Sequence, residues 1–181
     1  MSNQSKDDVL LASLHTFYAN PRHLKALTDA LNGKAISLRV IDWAVTNYAK
    51  RTNSCYIVTR QGQSQSFNIY LEYKSQLKSY SKRLFDPFSR RTRIEFTDIN
   101  GGTVHTTIGQ LNFFKWAISN AVLEYCVQHA DVIEKDMLHS IKHRTEEDGE
   151  NTDSKPKRRE LSKAATKTLT NTKIVLTLCF E

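Results

Sequence analysis

The chain has 181 residues, 39% of them hydrophobic and 9% aromatic, enough for one buried core with tails rather than several domains. Its three cysteines (Cys55, Cys126, Cys179) are odd in number, far apart and form no CxxC pair, which argues against a disulfide framework or structural zinc and for a reducing intracellular setting. The formal charge is +7 with pI near 9.3, no apolar run approaches the ~18 residues of a membrane span, and the start MSNQSKDDVL lacks the pattern of a secretory leader, so a soluble, non-secreted protein with an acidic partner is expected.

In chain order, Leu10, Leu11, Leu14 and Phe17 recur at helical spacing. Asn20-Pro21 ends that helix and starts a second through Leu24, Leu27 and Leu31, which stops near Asn32-Gly33. Ser37 can cap a third helix, with Leu38, Ile41, Val45 and Tyr48 as one stripe. The period then changes. CYIVTR (55–60) is β-rich, residues 61–65 make a loop, and Phe67, Ile69, Leu71 and Tyr73 alternate with polar or tyrosine positions. This predicts an antiparallel hairpin. RIEFT (93–97) is a third strand candidate, followed by the turn signal Asn100-Gly101-Gly102 and a fourth strand near Val104–Thr106.

Thr107 and Gln110 have capping-box spacing, in which the Thr oxygen caps a free amide and the Gln side chain reaches back. Leu111, Phe114, Ile118, Val122, Tyr125, His129 and Val132 continue at three-or-four spacing, predicting one long helix from about Ile108 into the late 130s. The expected fold class is α+β: a helical N-terminal part, a small antiparallel sheet of three to four strands, a long C-terminal helix and a disordered charged tail. The expected division is an N-terminal helical segment (1–36), an α+β nucleic-acid-binding core (37–144), a disordered charged linker (145–172) and an apolar, β-prone terminus (173–181).

The densest signal is KSQLKSYSKRLFDPFSRRTR (74–93), with cations Lys74, Lys78, Lys82, Arg83, Arg90, Arg91 and Arg93 against the acid Asp86. Tyr80, Phe85 and Phe88 lie among them. A solvated charge run has no use for two phenylalanines, and a core segment has no use for so many cations. The combination predicts an ordered basic surface that meets phosphates, placed as the end of a hairpin strand plus a connecting loop. Lys78, Lys82, Arg83, Arg90 and Arg91 are the foremost phosphate contacts, with Phe85 as the anchor and Phe88 as the exposed ring for stacking or wedging. Asp86-Pro87 reads as the turn between the two cation pairs. The bland alternative is a charged loop whose phenylalanines merely fill the core. A second basic run, with Lys155, Lys157, Arg158 and Arg159, fits a nuclear-localisation signal, a nucleic-acid arm or a plain solvated tail.

Enzyme signatures are weaker. Glu72-Tyr73-Lys74 on a strand would match the E-x-K element of metal-dependent nucleases, in which a carboxylate holds the metal and the lysine positions water. It needs a second carboxylate, for which Asp42, Asp86 and Glu95 are the candidates. His139 and His143 are i, i+4 but have no third ligand in sight, and Cys126 with His129 reads as core-facing more readily than as a nucleophile pair. No phosphate-cradling glycine loop exists. Trp43 and Trp116 read as core or interface residues. No catalytic residue, metal or cofactor is expected.

The blocks IDWAVTNYAK (41–50), FNIYLEYKSQLKSYSKRLFDPFSRR (67–91) and TTIGQLNFFKWAISNAVLEYC (106–126) resemble a mostly uncharacterised protein family of large nucleocytoplasmic DNA viruses. That family occurs in giant viruses such as marseilleviruses and mimiviruses and in iridovirus and phycodnavirus relatives. The resemblance covers roughly residues 37–138, leaving out the first 36 residues and the tail. It implies a virion-associated, DNA-binding or DNA-condensing protein, in the virion and in the host nucleus or viral factory. Members often carry Cys where this chain has Ser89, so a metal or thiol role there would not carry over. The expectation is a non-enzymatic, largely sequence-independent binder that packages or condenses DNA, double-stranded before single-stranded DNA or RNA. No membrane is expected as partner, and a homo-oligomer is compatible. The rivals are a structural virion or scaffold protein acting by protein contact and a nuclease built on Glu72 and Lys74.

Overall fold

A computed structural model describes residues 6–60, 63–97 and 102–150, with side chains left out at Arg60 and 144–150. Local chemistry sets the N-terminal helices. Helix α1 spans Lys6–Tyr18 with Asp7 and Asp8 in its first turn, where the positive helix end favours them, and it buries Leu14 and Tyr18. Asn20 caps α2 (Pro21–Leu31), its Oδ1 accepting from the Arg22 amide at 3.0 Å, and Pro21 occupies the first turn, where its missing donor costs nothing. Ser37 caps α3 (Leu38–Trp43) by accepting from the Val40 amide at 3.3 Å. That helix runs on through a wide π turn (Ala44–Tyr48) into α4 (Ala49–Thr52) and ends at Asn53 in the left-handed region.

Strands β1 (Cys55–Arg60) and β2 (Gln63–Asn68) pair antiparallel, Cys55 opposite Asn68 and Arg60 opposite Gln63. Along β2 only Phe67 is buried, so the ribbon stands largely in solvent. The expected alternation through Tyr73 breaks at Asn68. Its side chain caps the Leu71 amide at 3.0 Å and starts helix α5 (Ile69–Leu84). Ile69 and Tyr73 are buried at helical spacing while Leu71 is 64% exposed, the opposite of a strand. The expected strand end and loop for residues 74–84 is therefore corrected to a helix.

Strands β3 (Ile94–Thr97) and β4 (Thr103–Thr106) form a second antiparallel pair, Ile94 opposite Thr106. The two pairs are separate two-stranded sheets among the described residues, in place of one sheet of three to four strands. The class is α+β, with helix dominant. The expected Asn100-Gly101 turn lies outside the described residues.

The expected long helix is three. Helix α6 (Ile108–Ser119) ends before Asn120, and Ala121 at φ 57° turns the chain into α7 (Val122–Gln128). His129 then separates α7 from α8 (Ala130–Glu150). No proline or glycine marks either break. Helix α6 is buried nearly all round (Gly109–Phe114, Trp116, Ala117), the pattern of a central helix rather than a brace. Helix α8 reaches Glu150, into the segment expected to lack structure; the expected linker beyond it and the 173–181 terminus lie outside the described residues. The chain divides into two compact units, Met1–Lys142 and His143–Glu181, of which the second is described only as the end of α8.

Packing around α6 makes one position sharply restrictive. A Cβ on Gly109 would lie 2.9 Å from the Arg83 carbonyl oxygen and 3.4 Å from the Leu84 carbonyl carbon and the Phe85 amide nitrogen. These are backbone atoms that cannot swing aside. Gly109→Ala is expected to destabilise the protein by about 2 kcal/mol despite the better helix propensity of alanine, measured by urea denaturation. Ser81, inside α5, has φ 57° and ψ 169°, a region that glycine tolerates and other residues enter only under strain. Ser81→Gly should raise stability by about 1 kcal/mol in the same assay.

Candidate nucleic-acid interface

The basic stretch has two structural halves, divided at Ser81. The first, Lys74–Tyr80, is regular helix. The second turns off α5 and enters the core at Phe85, which is 1% exposed. Phe85 packs against Tyr73, Phe113 and Trp116 at ring-centroid distances of 5.3 to 5.9 Å, with Tyr80 stacked at 6.5 Å. It is the anchor that the sequence implied.

Backbone and amide hydrogen bonds hold the segment after it. Asn112 Nδ2 donates to the Leu84 carbonyl at 2.9 Å, and the Asp86 amide donates to the Gly109 carbonyl at 3.3 Å. Gln110 Nε2 donates to the Pro87 carbonyl at 2.7 Å, while Gln110 Oε1 accepts from Thr106 Oγ1 at 2.8 Å. Half of the expected capping box therefore holds: Thr107 Oγ1 accepts from the Gln110 amide at 3.1 Å, but the Gln110 side chain serves the loop instead of the helix start. Asp86 Oδ1 accepts from the Phe88 amide at 3.0 Å, closing the expected turn. Gly109, Gln110 and Asn112 position the loop, a role that the sequence assigned to none of them, Gln110 being expected to cap the helix instead. Their signal was three small or amide residues among the first five of a largely apolar helix.

All seven cations of 74–93 are exposed, on helix α5 (Lys74, Lys78), past the kink (Lys82, Arg83) and on the following segment (Arg90, Arg91, Arg93). Phe88, expected as the exposed ring, is half-buried, and the Arg90 guanidinium lies 4.5 Å from its centroid. Several of the cations face acids. Arg83 donates to Asp7 Oδ1 of α1 at 2.9 Å, and Arg90 Nε lies 3.7 Å from Asp86 Oδ2. Lys82 and Arg90 both act on Asp42 of α3, which is half-buried. Burial pushes the Asp42 carboxyl up to about 6; Arg90 and then Lys82 oppose this, and Asp86 adds to the rise. Burial, with Asp42 and Asp86 beside it, also pushes the Tyr73 hydroxyl up to about 12.

The other candidates separate cleanly. Glu72 and Lys74 sit exposed in the first turns of α5, not on a strand, so the strand-borne nuclease element is absent. Asp42, one of its expected partners, answers electrostatically to Arg90, Asp86 and Lys82. Glu95 lies on β3 beside His105 at 3.9 Å. Cys126 is fully buried, and burial pushes its thiol up to about 12; the half-buried His129 holds the Tyr125 carbonyl through Nδ1 at 2.9 Å. A nucleophile pair needs the reverse, a thiol eased toward thiolate. His139 and His143 are exposed on α8, and the described residues contain no group of three or more metal-type ligands. Trp43 Nε1 donates to Asp136 Oδ2 at 2.8 Å, where Arg51 also pairs, tying α3 and α4 to α8. Trp116 belongs to the core, as expected. The tail cations Lys155, Lys157, Arg158 and Arg159 lie outside the described residues. No helix among the described residues is long and apolar enough to cross a membrane.

The raised Asp42 carboxyl carries a pH dependence of defined sign. Its proton is held more tightly folded than unfolded between pH 4 and 6, so the cost of the buried charge is absent below the unfolded pKa and complete above about 6. Asp42→Asn should therefore gain stability over wild type above pH 6, by roughly 1 kcal/mol after allowance for partial exposure, and lose that gain near pH 4. Urea melts of both proteins across this range check it.

Comparison with known proteins places the chain in a family without an assigned role. The chain is 39% identical over 132 residues to an uncharacterized protein of Acanthamoeba polyphaga mimivirus, covering 70% of this chain and 51% of the relative. The chain thus spans about half the length of the curated relative it matches. No solved structure matches. A family model described as a family of unknown function (DUF7197) matches residues 2–178, so the likeness takes in the N-terminal helices and the tail, both outside the narrower 37–138 resemblance. The viral character of that resemblance stands, and the chain belongs to this family of unknown function.

Proposed function

We propose that the protein binds nucleic acid, double-stranded DNA foremost, through phosphate contacts and without catalysis, and that it packages or condenses a viral genome. The observation that carries this is the combination of seven exposed cations with a backbone locked into the core by Phe85, Gln110 and Asn112. A solubilising charge cluster needs no such anchoring. A phosphate-reading surface gains from it, because cations fixed before binding lose less freedom on binding. Little base specificity is expected, since exposed Lys and Arg on this scaffold reach backbone oxygens more readily than base edges. The basic tail run Lys155–Arg159 adds a second contact, and the protein acts in the virion and in the host nucleus or viral factory. The viral relative supports this setting.

Salt dependence gives the test. If about six cations neutralise phosphates, log affinity for random-sequence duplex falls with log salt at a slope near −5, from ~0.9 per contact. A mobility-shift titration compares wild type with Arg90→Glu/Arg91→Glu and with a chain ending at Arg144. Reversing two charges should weaken binding at least tenfold, and removing the tail should lower the slope further. Absence of binding by wild type at low salt sinks the reading. Magnesium-dependent nicking of supercoiled DNA, lost in Glu72→Ala, would overturn the non-enzymatic part.

A further inference from the structure

The seven cations are not equivalent. Arg83 is paired with Asp7, Arg90 with Asp86, and Lys82 faces Asp42. Among the described residues, neither Lys74 nor Lys78 lies within ion-pair distance of a carboxylate. The uncompensated charge on the ordered helix is therefore in α5, before the kink. A further lysine joins it from another element. Lys50, exposed near the end of α4, holds its Nζ 5.8 Å from the centroid of Tyr70. Tyr70 precedes Lys74 by four residues, and Lys74 precedes Lys78 by four. At 1.5 Å rise per residue these positions follow one helix flank over about 12 Å. Glu72, the nearby acid, is turned at least about 120° round the helix from both lysines at 100° per residue. On the open face Leu71 is 64% exposed and Ser75 is exposed, neither adding negative charge.

We propose that Lys50, Lys74 and Lys78 form a phosphate track along α5 for one backbone of duplex DNA, and that this track contributes more to binding than the aspartate-paired Arg83 and Arg90 after the kink. The inference deepens the nucleic-acid reading and rests on it. Its physical basis is competition. A phosphate reaching Arg83 or Arg90 must share the cation with an aspartate already in place, whereas one reaching the track displaces only water and counterions. Tyr70 acts as a positioning residue, its ring holding the Lys50 ammonium over the helix flank.

The experiment is a fluorescence-anisotropy salt titration of the full chain with random-sequence duplex DNA. It compares wild type, Lys50→Gln/Lys74→Gln/Lys78→Gln, Lys50→Arg/Lys74→Arg/Lys78→Arg, and Arg83→Gln/Arg90→Gln. The glutamine triple should reduce the steepness of the log–log slope by about 2.7, at ~0.9 per contact, and the loop double by less than about 1. The arginine triple should keep the wild-type slope, which separates charge from folding, and thermal melts of all four confirm a folded chain. Steep wild-type binding with the slope kept by the glutamine triple and lost by the loop double overturns this inference alone. Failure of wild type to bind duplex, or binding to anionic vesicles in place of DNA, overturns both it and the function on which it rests.

Discussion

The structure turns on the seal between the Leu84–Pro87 segment and the first turn of α6. Helix α6 approaches so closely that only a hydrogen fits at position 109, and the gap is bridged by the side-chain amides of Gln110 and Asn112. Both residues are buried. A buried amide contributes about 1 kcal/mol net per hydrogen bond, but leaving its partner unsatisfied costs about 1 to 3 kcal/mol. The seal is therefore more specific than it is strong. An apolar substitution at either position would leave a loop carbonyl without a donor. Phe85 supplies the apolar part, inserted among Tyr73, Phe113 and Trp116. The position of every cation after the kink follows from this attachment.

The acids around those cations have a structural reason as well. A loop pinned to the core cannot splay its charges apart, so Arg83 stays at Asp7 of α1, and Lys82 and Arg90 both act on Asp42 of α3. Asp7 at the positive end of α1 and Asp86 in the turn each take one arginine. Exposed pairs of this kind contribute about 0 to 1 kcal/mol to stability. In the proposed function they weigh more than in the fold, because they lower the positive potential that a phosphate would meet. Asp42 is the extreme case, a half-buried carboxyl that remains pushed up in spite of Arg90 and Lys82.

How much of this was legible in the sequence depended on whether the deciding interaction was local. The caps at Asn20, Ser37 and Thr107 were readable because each oxygen meets an amide two or three residues on. Helix α5 was misread because Phe67, Ile69, Leu71 and Tyr73 satisfy a period of two, while Ile69, Tyr73, Leu77 and Tyr80 satisfy a helix; Asn68 as a cap decides between them, and its choice is visible only with the β1 partner fixed opposite. The break at Ala121 carries no glycine or proline, so pattern alone runs through it. At the interface the cations and Phe85 could be seen in sequence, but not the partners that grade them. Asp7 lies 76 residues from Arg83, and Lys50 comes from a different helix than the ring it covers.

Ser81 joins these points. Its backbone occupies a region that a side chain makes costly, by roughly 1 to 3 kcal/mol. A straight continuation of α5 would avoid that cost and would set Lys82 one turn beyond Lys78 on the same flank. It would also carry Leu84 and Phe85 away from Asn112 and the aromatic cluster. Burying a phenylalanine outweighs one strained residue, at about 2 to 3 kcal/mol for the ring and more with its amide bonds. The kink is thus forced by the anchor. It divides a run of cations that is continuous in sequence into a helical set with open charge and a looped set in which Arg83 and Arg90 are held by aspartates.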